Sequence, residues 1–281
     1  RTGGNTSCVE VRCADHVLIV DAGTGIIPLG ARLVEQDAVR EVAILVTHYH
    51  WDHISGLPFF EPAFTPSWTL RFFGPGNTEM EVAEALSEQM RAPYFPVETE
   101  TWLADVHYLH AKDGTIEHGP IRVTPFHVHH PGTTFGFRIE VAGHTVVYVS
   151  DNELLFLDAP IDQRLEESDL DTGEHELLVQ MKEEAKRASL QPFLDADILI
   201  HDSQYTPDDY ARKRGWGHSC YVDTVNCAID ARVGQLYLYH LDPSYPDTQV
   251  DALHREAQEI IRRRGSALRC EVAREGLVIP L

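Results

Sequence analysis

The sequence predicts an α/β fold in which two β-sheets are sandwiched between helices. Three observations predict it. Short apolar runs of strand length, among them Val42–Val46, Thr145–Val149, Ile198–Ile200 and Gln235–Tyr239, alternate with segments of helical character. The alternation falls into two halves, the pattern of two sheets with helices packed on them. No internal repeat or long linker interrupts the 281 residues, a length that suits one large domain or two small ones. The chain is read as a single domain, 1–281.

Composition narrows the partners. Hydrophobic content of 43% and charged content of 24% are those of an ordinary globular protein. The formal charge of −21, from 23 basic and 44 acidic residues, repels polyphosphate at long range. Long nucleic acids need many basic contacts, so they are poor partners for this surface. A small anion drawn in by bound cations is still compatible with it. The five cysteines (Cys8, Cys13, Cys220, Cys227, Cys270) are odd in number and form no C-x-x-C pair, so free thiols in a reducing, cytoplasmic compartment are expected. No apolar run approaches the roughly 18 residues of a membrane span, and no membrane partner is expected.

In chain order, Ser7–Cys13 and His16–Asp21 read as paired strands turning at Ala14-Asp15. Asp21-Ala22-Gly23-Thr24-Gly25 then leads into a helix from about Ile26 to Gln36. These glycines fit neither G-x-G-x-x-G nor G-x-x-x-x-G-K, so a tight strand-to-helix turn is expected and not a phosphate cradle. Leu70–Phe73 reads as a strand. Thr78–Met90 reads as an amphipathic helix capped by Asn77 or Thr78. Ala92-Pro93-Tyr94-Phe95-Pro96-Val97 breaks that pattern. Tyr94 and Phe95 are either a substrate-pocket wall on which a base stacks or plain core packing. Val106–Leu109, Ile121–Pro125, Phe135–Val141 and Thr145–Val149 follow as strands, the last two turned by Ala142-Gly143-His144.

Residues 152–191 are dense in Asp and Glu, with helical character over Glu174–Ala188, and read as an acidic insertion that carries either a solvated helix or a lid or dimer contact. A helix opening at Gly215-Trp216-Gly217-His218-Ser219 and running to about Ala231 is expected. A final helix over Asp247–Arg264 and strands near Cys270 and Val278 complete the chain.

Candidate metal ligands recur at the strand ends. The buried run Val42–Val46 is followed by His48, His50, Asp52 and His53. His48 and His50 are two apart and point the same way in extended backbone, whereas Asp52 and His53 project in different directions once the chain turns. One loop can thus offer two imidazoles to one metal, and a carboxylate and an imidazole to another. Imidazole and carboxylate suit zinc, manganese or iron. Further candidates are His127, His129 and His130, then Asp151, His201, Asp202 and His240.

The run His48-x-His50-x-Asp52-His53 resembles the signature of the metallo-β-lactamase-fold hydrolases. The rest of the chain is most similar to their phosphodiesterase branch, which includes ribonuclease Z, the phosphoribosyl cyclic phosphodiesterases and the cyclic-nucleotide phosphodiesterases. The resemblance implies a four-layer αββα sandwich with a two-metal site at one edge. It extends to Asn5-Thr6-Ser7-Cys8 and Asp21–Gly25. Relatives usually carry one strand before this point and a shorter connection after Asp151.

The resemblance also sorts the ligands. His130, before Pro131-Gly132, matches the third imidazole of the first metal. Asp151 matches the carboxylate that bridges both metals, and His240 the last ligand of the second. The implied sites are His48, His50, His130 and Asp151 for one ion, and Asp52, His53, Asp151 and His240 for the other, with two divalent ions, zinc first. Asp202 and His218 match a pair in which a carboxylate supports a histidine that contacts the phosphate and assists the leaving group. Ser219 beside it is a candidate substrate contact, and Asp52 is expected to position the attacking hydroxide.

The expected activity is therefore that of a dinuclear-metal phosphodiesterase acting on a small cyclic nucleotide or related cyclic phosphodiester. The alternatives are a ribonuclease Z-like tRNA 3′-end endonuclease, which the charge disfavours, and a thioester or lactam hydrolase of the same fold, in which His218 has no obvious task. Analogy and the segment Tyr94–Val97 suggest a homodimer.

Overall fold

A computed structural model describes residues 2–36, 38–111, 114–156, 158–166 and 170–281. The fold is mixed α/β with two sheets. The chain divides into two compact units, residues 1–127, 132–144 and 274–281 in the first, and 128–131 and 145–273 in the second.

In the first unit, β1 (Val9–Cys13) and β2 (His16–Val20) form an antiparallel hairpin. Its turn puts Ala14 at φ 54°, as a two-residue connection demands. Helix α1 (Ile26–Gln36) crosses to β3 (Glu41–Leu45), which lies parallel to β2. A short helix α2 (Trp51–Ile54) and two 3₁₀ turns lead to β4 (Thr69–Gly74). Helix α3 (Glu79–Glu88) is capped by the Thr78 hydroxyl, which accepts from the Glu81 amide, and connects to β5 (Asp105–His110). The sheet order is β1-β2-β3-β4-β5, with β2 to β5 parallel.

The register sets Ile19 beside Ile44 and Ile44 beside Phe72. With Val17, Val42 and Leu70 they build one apolar face. Ile26, Leu29 and Leu33 of α1 and Val82 and Leu86 of α3 pack into the same core. Leu18, Ala43 and Leu45, which alternate with them, are also fully buried. Burial of both faces explains why the strands read as continuous apolar runs and not as alternating ones. The unit also holds an antiparallel set, β6 (Ile116–His118), β7 (Ile121–His127) and β8 (Phe135–Val141).

The second unit is built on parallel strands. They are β9 (His144–Val149, within the unit from Thr145), β10 (Ile198–Asp202), β11 (Gln235–Tyr239) and β12 (Arg269–Val272), paired in that order. Helices α4 (Asp158–Leu165) and α5 (Thr172–Leu190) follow β9. Helix α5 starts in a capping box between Asp171 and Glu174 and buries none of its residues. Helices α6 (Pro207–Lys213), α7 (Tyr221–Asp230) and α8 (Asp247–Arg263) complete the unit. No helix among the described residues is long and apolar enough to cross a membrane. All five cysteines are free thiols.

The structure departs from the sequence reading in four places. Strand β2 stops at Val20, because Asp21 turns into the left-handed region at φ 63°. Helix α7 begins at Tyr221 behind Cys220 and not at Gly215, since Gly215 and Gly217 take φ of 82° and 87°, which no α-helix accommodates. Val278 lies in no strand. Strand β6 and the short helices α2, α4 and α6 had no counterpart in the reading, none of them being longer than eight residues.

Candidate metal centre

In the first unit the site begins at the carboxyl end of β3. His48 is buried, His50 is exposed, and α2 carries Asp52 and His53 in its first turn. His48 Nε2 and His50 Nδ1 lie 2.9 Å apart, and the rings of His48 and His53 are centred 4.3 Å apart. Asp52 Oδ2 is 3.3 Å from His53 Nε2.

Asp21 organises this group. Its Oδ2 sits 2.9 Å from His53 Nδ1, while its Oδ1 accepts from the Thr47 amide and hydroxyl, both at 2.9 Å. Because the Thr47 hydroxyl donates to Asp21, it accepts from His48 Nδ1, 3.0 Å away. Both imidazoles therefore carry their proton on Nδ1 and offer the Nε2 lone pair. The Asp21–Gly23 turn is pinned to α2 through Ala22 N–H to His53 C=O at 2.7 Å and Gly56 N–H to Ala22 C=O at 2.9 Å. A Cβ on Gly23 would stand 2.2 Å from the Asp52 carbonyl oxygen, so only glycine permits this approach.

In the second unit the buried carboxylate of Asp151, just past β9, lies between two imidazoles. Its Oδ2 is 3.7 Å from His130 Nε2, and its Oδ1 is 3.7 Å from His240 Nε2. One oxygen thus faces each ring. His130 Nδ1–H donates to the Gly217 carbonyl at 2.8 Å, and His240 Nδ1 is 3.2 Å from the Gln204 side-chain amide.

His218 joins this group from the loop before α7. Its Nδ1 is 2.9 Å from Asp202 Oδ2, its ring stacks on His240 with centroids 5.2 Å apart, and His130 is edge-on at 5.1 Å. Asp202 is fully buried and also accepts from the Asn152 and Gln204 amides. Ligand atoms of His130, Asp151 and His218, and of Asp202, His218 and His240, each lie within 4.8 Å of one another.

The donor set fits divalent cations. Each of His48, His53 and His130 has its Nδ1 held by an outer oxygen while Nε2 faces the other ligand candidates, the arrangement usual for metal-bound imidazoles.

The competing histidines are engaged elsewhere. His127 ends β7, exposed, against the ring of Phe135. His129 stacks on Phe156, and burial pushes its pKa down. His201 is wholly buried, hydrogen-bonded to the Asp202 carbonyl and near the Asn152 side chain, and burial lowers its pKa too.

The proposed substrate contacts differ in burial. Ser219 is buried, its hydroxyl donating to the Asn152 carbonyl at 2.5 Å and accepting from the Leu154 amide at 3.2 Å. Tyr94 is 79% exposed, and Phe95 packs edge-on against Phe59 at 5.4 Å. Residues that sequence reasoning passed over are Asp21, Thr47, Gln204 and Glu153. For Asp21 a signal existed, an acidic residue ending an apolar strand.

Comparison with known proteins agrees with this chemistry. A family model described as "Beta-lactamase superfamily domain" matches residues 16–174. Ribonuclease Z of Oceanobacillus iheyensis is 22% identical over 240 residues, covering 77% of this chain and 76% of the relative. The crystal structure of the metallo-beta-lactamase fold protein YhfI from Bacillus subtilis superposes with a TM-score of 0.65 at 21% identity, covering 98% of this chain and 92% of that one. A diphosphatase from the PhnP family superposes with a TM-score of 0.59 at 18% identity, covering 98% and 84%. The chain belongs to the beta-lactamase superfamily, as a metallo-β-lactamase-fold, metal-dependent hydrolase.

Proposed function

We propose that this hydrolase is a dinuclear-metal phosphodiesterase whose substrate is a small phosphodiester, a cyclic nucleotide or a related cyclic phosphate. His48, His50, His130 and Asp151 serve one ion in this reading, and Asp52, His53, Asp151 and His240 the other. Two divalent cations, zinc by preference of the donors, would supply charge neutralisation at the phosphoryl oxygens and activation of the attacking water.

The observation that carries the reading is the Asp202–His218 pair. A buried carboxylate holds an imidazole by Nδ1 at 2.9 Å, beside Asp151, His130 and His240 but with its own partner. Such a histidine presents its Nε2 proton to a developing alkoxide or phosphoryl oxygen. Phosphodiester cleavage needs that donor, because its leaving group departs as an alkoxide. A thioester gives it no comparable task, because its thiolate leaves without a proton. Asp202 keeps the ring oriented.

A small substrate is favoured over tRNA by the net charge of −21, which gives a long polyanion few basic contacts. The ribonuclease Z relatives make cleavage of a tRNA precursor the second reading. Incubating zinc-loaded protein with cyclic mononucleotides, cyclic dinucleotides and a tRNA precursor separates the two. Turnover of the precursor alone overturns the small-substrate reading.

A homodimer is proposed with it, on analogy and on the exposed Tyr94 segment. Light scattering that gives only the monomer mass at micromolar concentration counts against it.

A further inference from the structure

We propose that Glu153 is a positioning residue that fixes the His218 loop and the metal-ligand candidate His130 as one assembly. Glu153 is 2% exposed, two residues beyond Asp151. Its Oε1 accepts from the Tyr210 hydroxyl at 3.0 Å and the Gly215 amide at 2.9 Å. Its Oε2 accepts from the Gly215 and Gly217 amides, both at 3.0 Å. Two amides converging from a left-handed turn form an anion-binding nest, and here a side-chain carboxylate occupies it.

Gly217 is the junction. Its N–H goes to Glu153 and its C=O to His130 Nδ1–H at 2.8 Å, and the next residue is His218. Gly217 sits at φ 87°, and a Cβ there would stand 2.4 Å from both His130 Nδ1 and Pro131 Cδ. The Gly-Trp-Gly run has no conformational preference of its own that would hold His218 in place. Glu153 replaces that missing preference with hydrogen bonds. On the far side, Ser219 is bound to the backbone of Asn152 and Leu154, so residues 152–154 grip the loop on both flanks of His218.

Burying a carboxylate is costly, and an apolar filler commonly stabilises a fold as well or better. A buried carboxylate spent on loop amides next to two working imidazoles is better explained by preorganisation. The inference rests on the phosphodiesterase reading for its effect on turnover, and not for its effect on metal affinity.

The test uses the zinc-loaded full chain, with 2′,3′-cyclic AMP, whose ribose alkoxide is a poor leaving group that needs the His218 proton, as substrate and chelator competition for zinc affinity. Glu153→Ala should lower kcat about 10- to 100-fold with little change in KM, and weaken zinc about 10- to 100-fold through His130. Glu153→Gln should recover most of both, because its amide oxygen can still accept from Gly215 and Gly217. In a His218→Ala background, Glu153→Ala should add little further loss of kcat, since Glu153 acts through that residue. If Glu153→Ala fails to fold, Glu153→Asp, which draws the carboxylate back from the loop, should show the same losses. Wild-type kcat and zinc affinity in both Ala and Asp variants, with only a lower melting temperature, overturns the proposal. So does a full multiplicative loss on top of His218→Ala. A wild type that binds zinc but cleaves no phosphoester counts against the phosphodiesterase reading, and zinc affinity then decides the Glu153 link.

Discussion

The carboxylate of Asp202 holds His218 by Nδ1 at 2.9 Å, and the same oxygen accepts the Asn152 amide at 3.0 Å. The histidine is thus oriented by a group that is itself fixed. His218→Ala should keep the metals and lower turnover of a cyclic nucleotide by roughly 10²–10⁴, the usual weight of a general acid. Asp202→Asn should lose less, in the same direction. Single-turnover rates beside metal analysis check both, and loss of a metal in His218→Ala would refute its role as a non-ligand.

Asp151 turns one oxygen to His130 and the other to His240, each 3.7 Å from Nε2. His240→Ala is therefore expected to lose about half of the bound metal together with activity, whereas Asp151→Asn should impair both sites. Elemental analysis of fully loaded protein distinguishes them. About one ion per chain in the wild type would end the dinuclear reading.

Asp21 accepts from His53 directly and from His48 through Thr47. Asp21→Asn keeps the size but replaces one acceptor with a donor, which disturbs the Nδ1–H tautomer. Metal affinity should fall about 10- to 100-fold, as is usual when an outer partner of a metal-bound histidine is lost. Competition with a chelator measures this, and unchanged affinity would remove Asp21 from the site.

Gly217→Ala should destabilise the protein. The left-handed backbone alone costs an alanine about 1–2 kcal/mol, and its Cβ collides with His130 and Pro131. A chemical denaturation midpoint equal to that of wild type would contradict the loop geometry.

Stability should also fall with acidity through His118. Burial pushes its pKa down, and its ring stands edge-on to His16 at 5.6 Å. The folded state therefore binds the proton more weakly than the unfolded chain, whose histidine titrates near 6.5. This contribution is fully present above about pH 6.5 and is lost as pH falls from there toward the lowered folded value. Denaturation of wild type and His118→Phe at pH 7.5 and 5.5 should show a shallower pH dependence in the variant. Equal slopes would mean that His118 does not titrate differently on folding.

By itself the sequence determined the α/β class, most strand positions and the list of candidate ligands. Strand runs are local, and a strand end fixes on which side the alternate residues His48 and His50 emerge. What joins distant segments was decided only by the tertiary structure. The bond from His130 to Gly217 spans 87 residues and that from His53 to Asp21 spans 32. No local pattern records such pairs, so the role of Glu153 was invisible and that of Asp21 was signalled only by an acidic residue ending an apolar strand, and the start of α7 was misplaced because glycine φ values are set by the contacts the loop makes. His127, His129 and His130 look alike in sequence. Phe135 and Phe156 engage the first two, while a backbone carbonyl turns the third toward Asp151, because that is where its Nδ1 proton finds an acceptor.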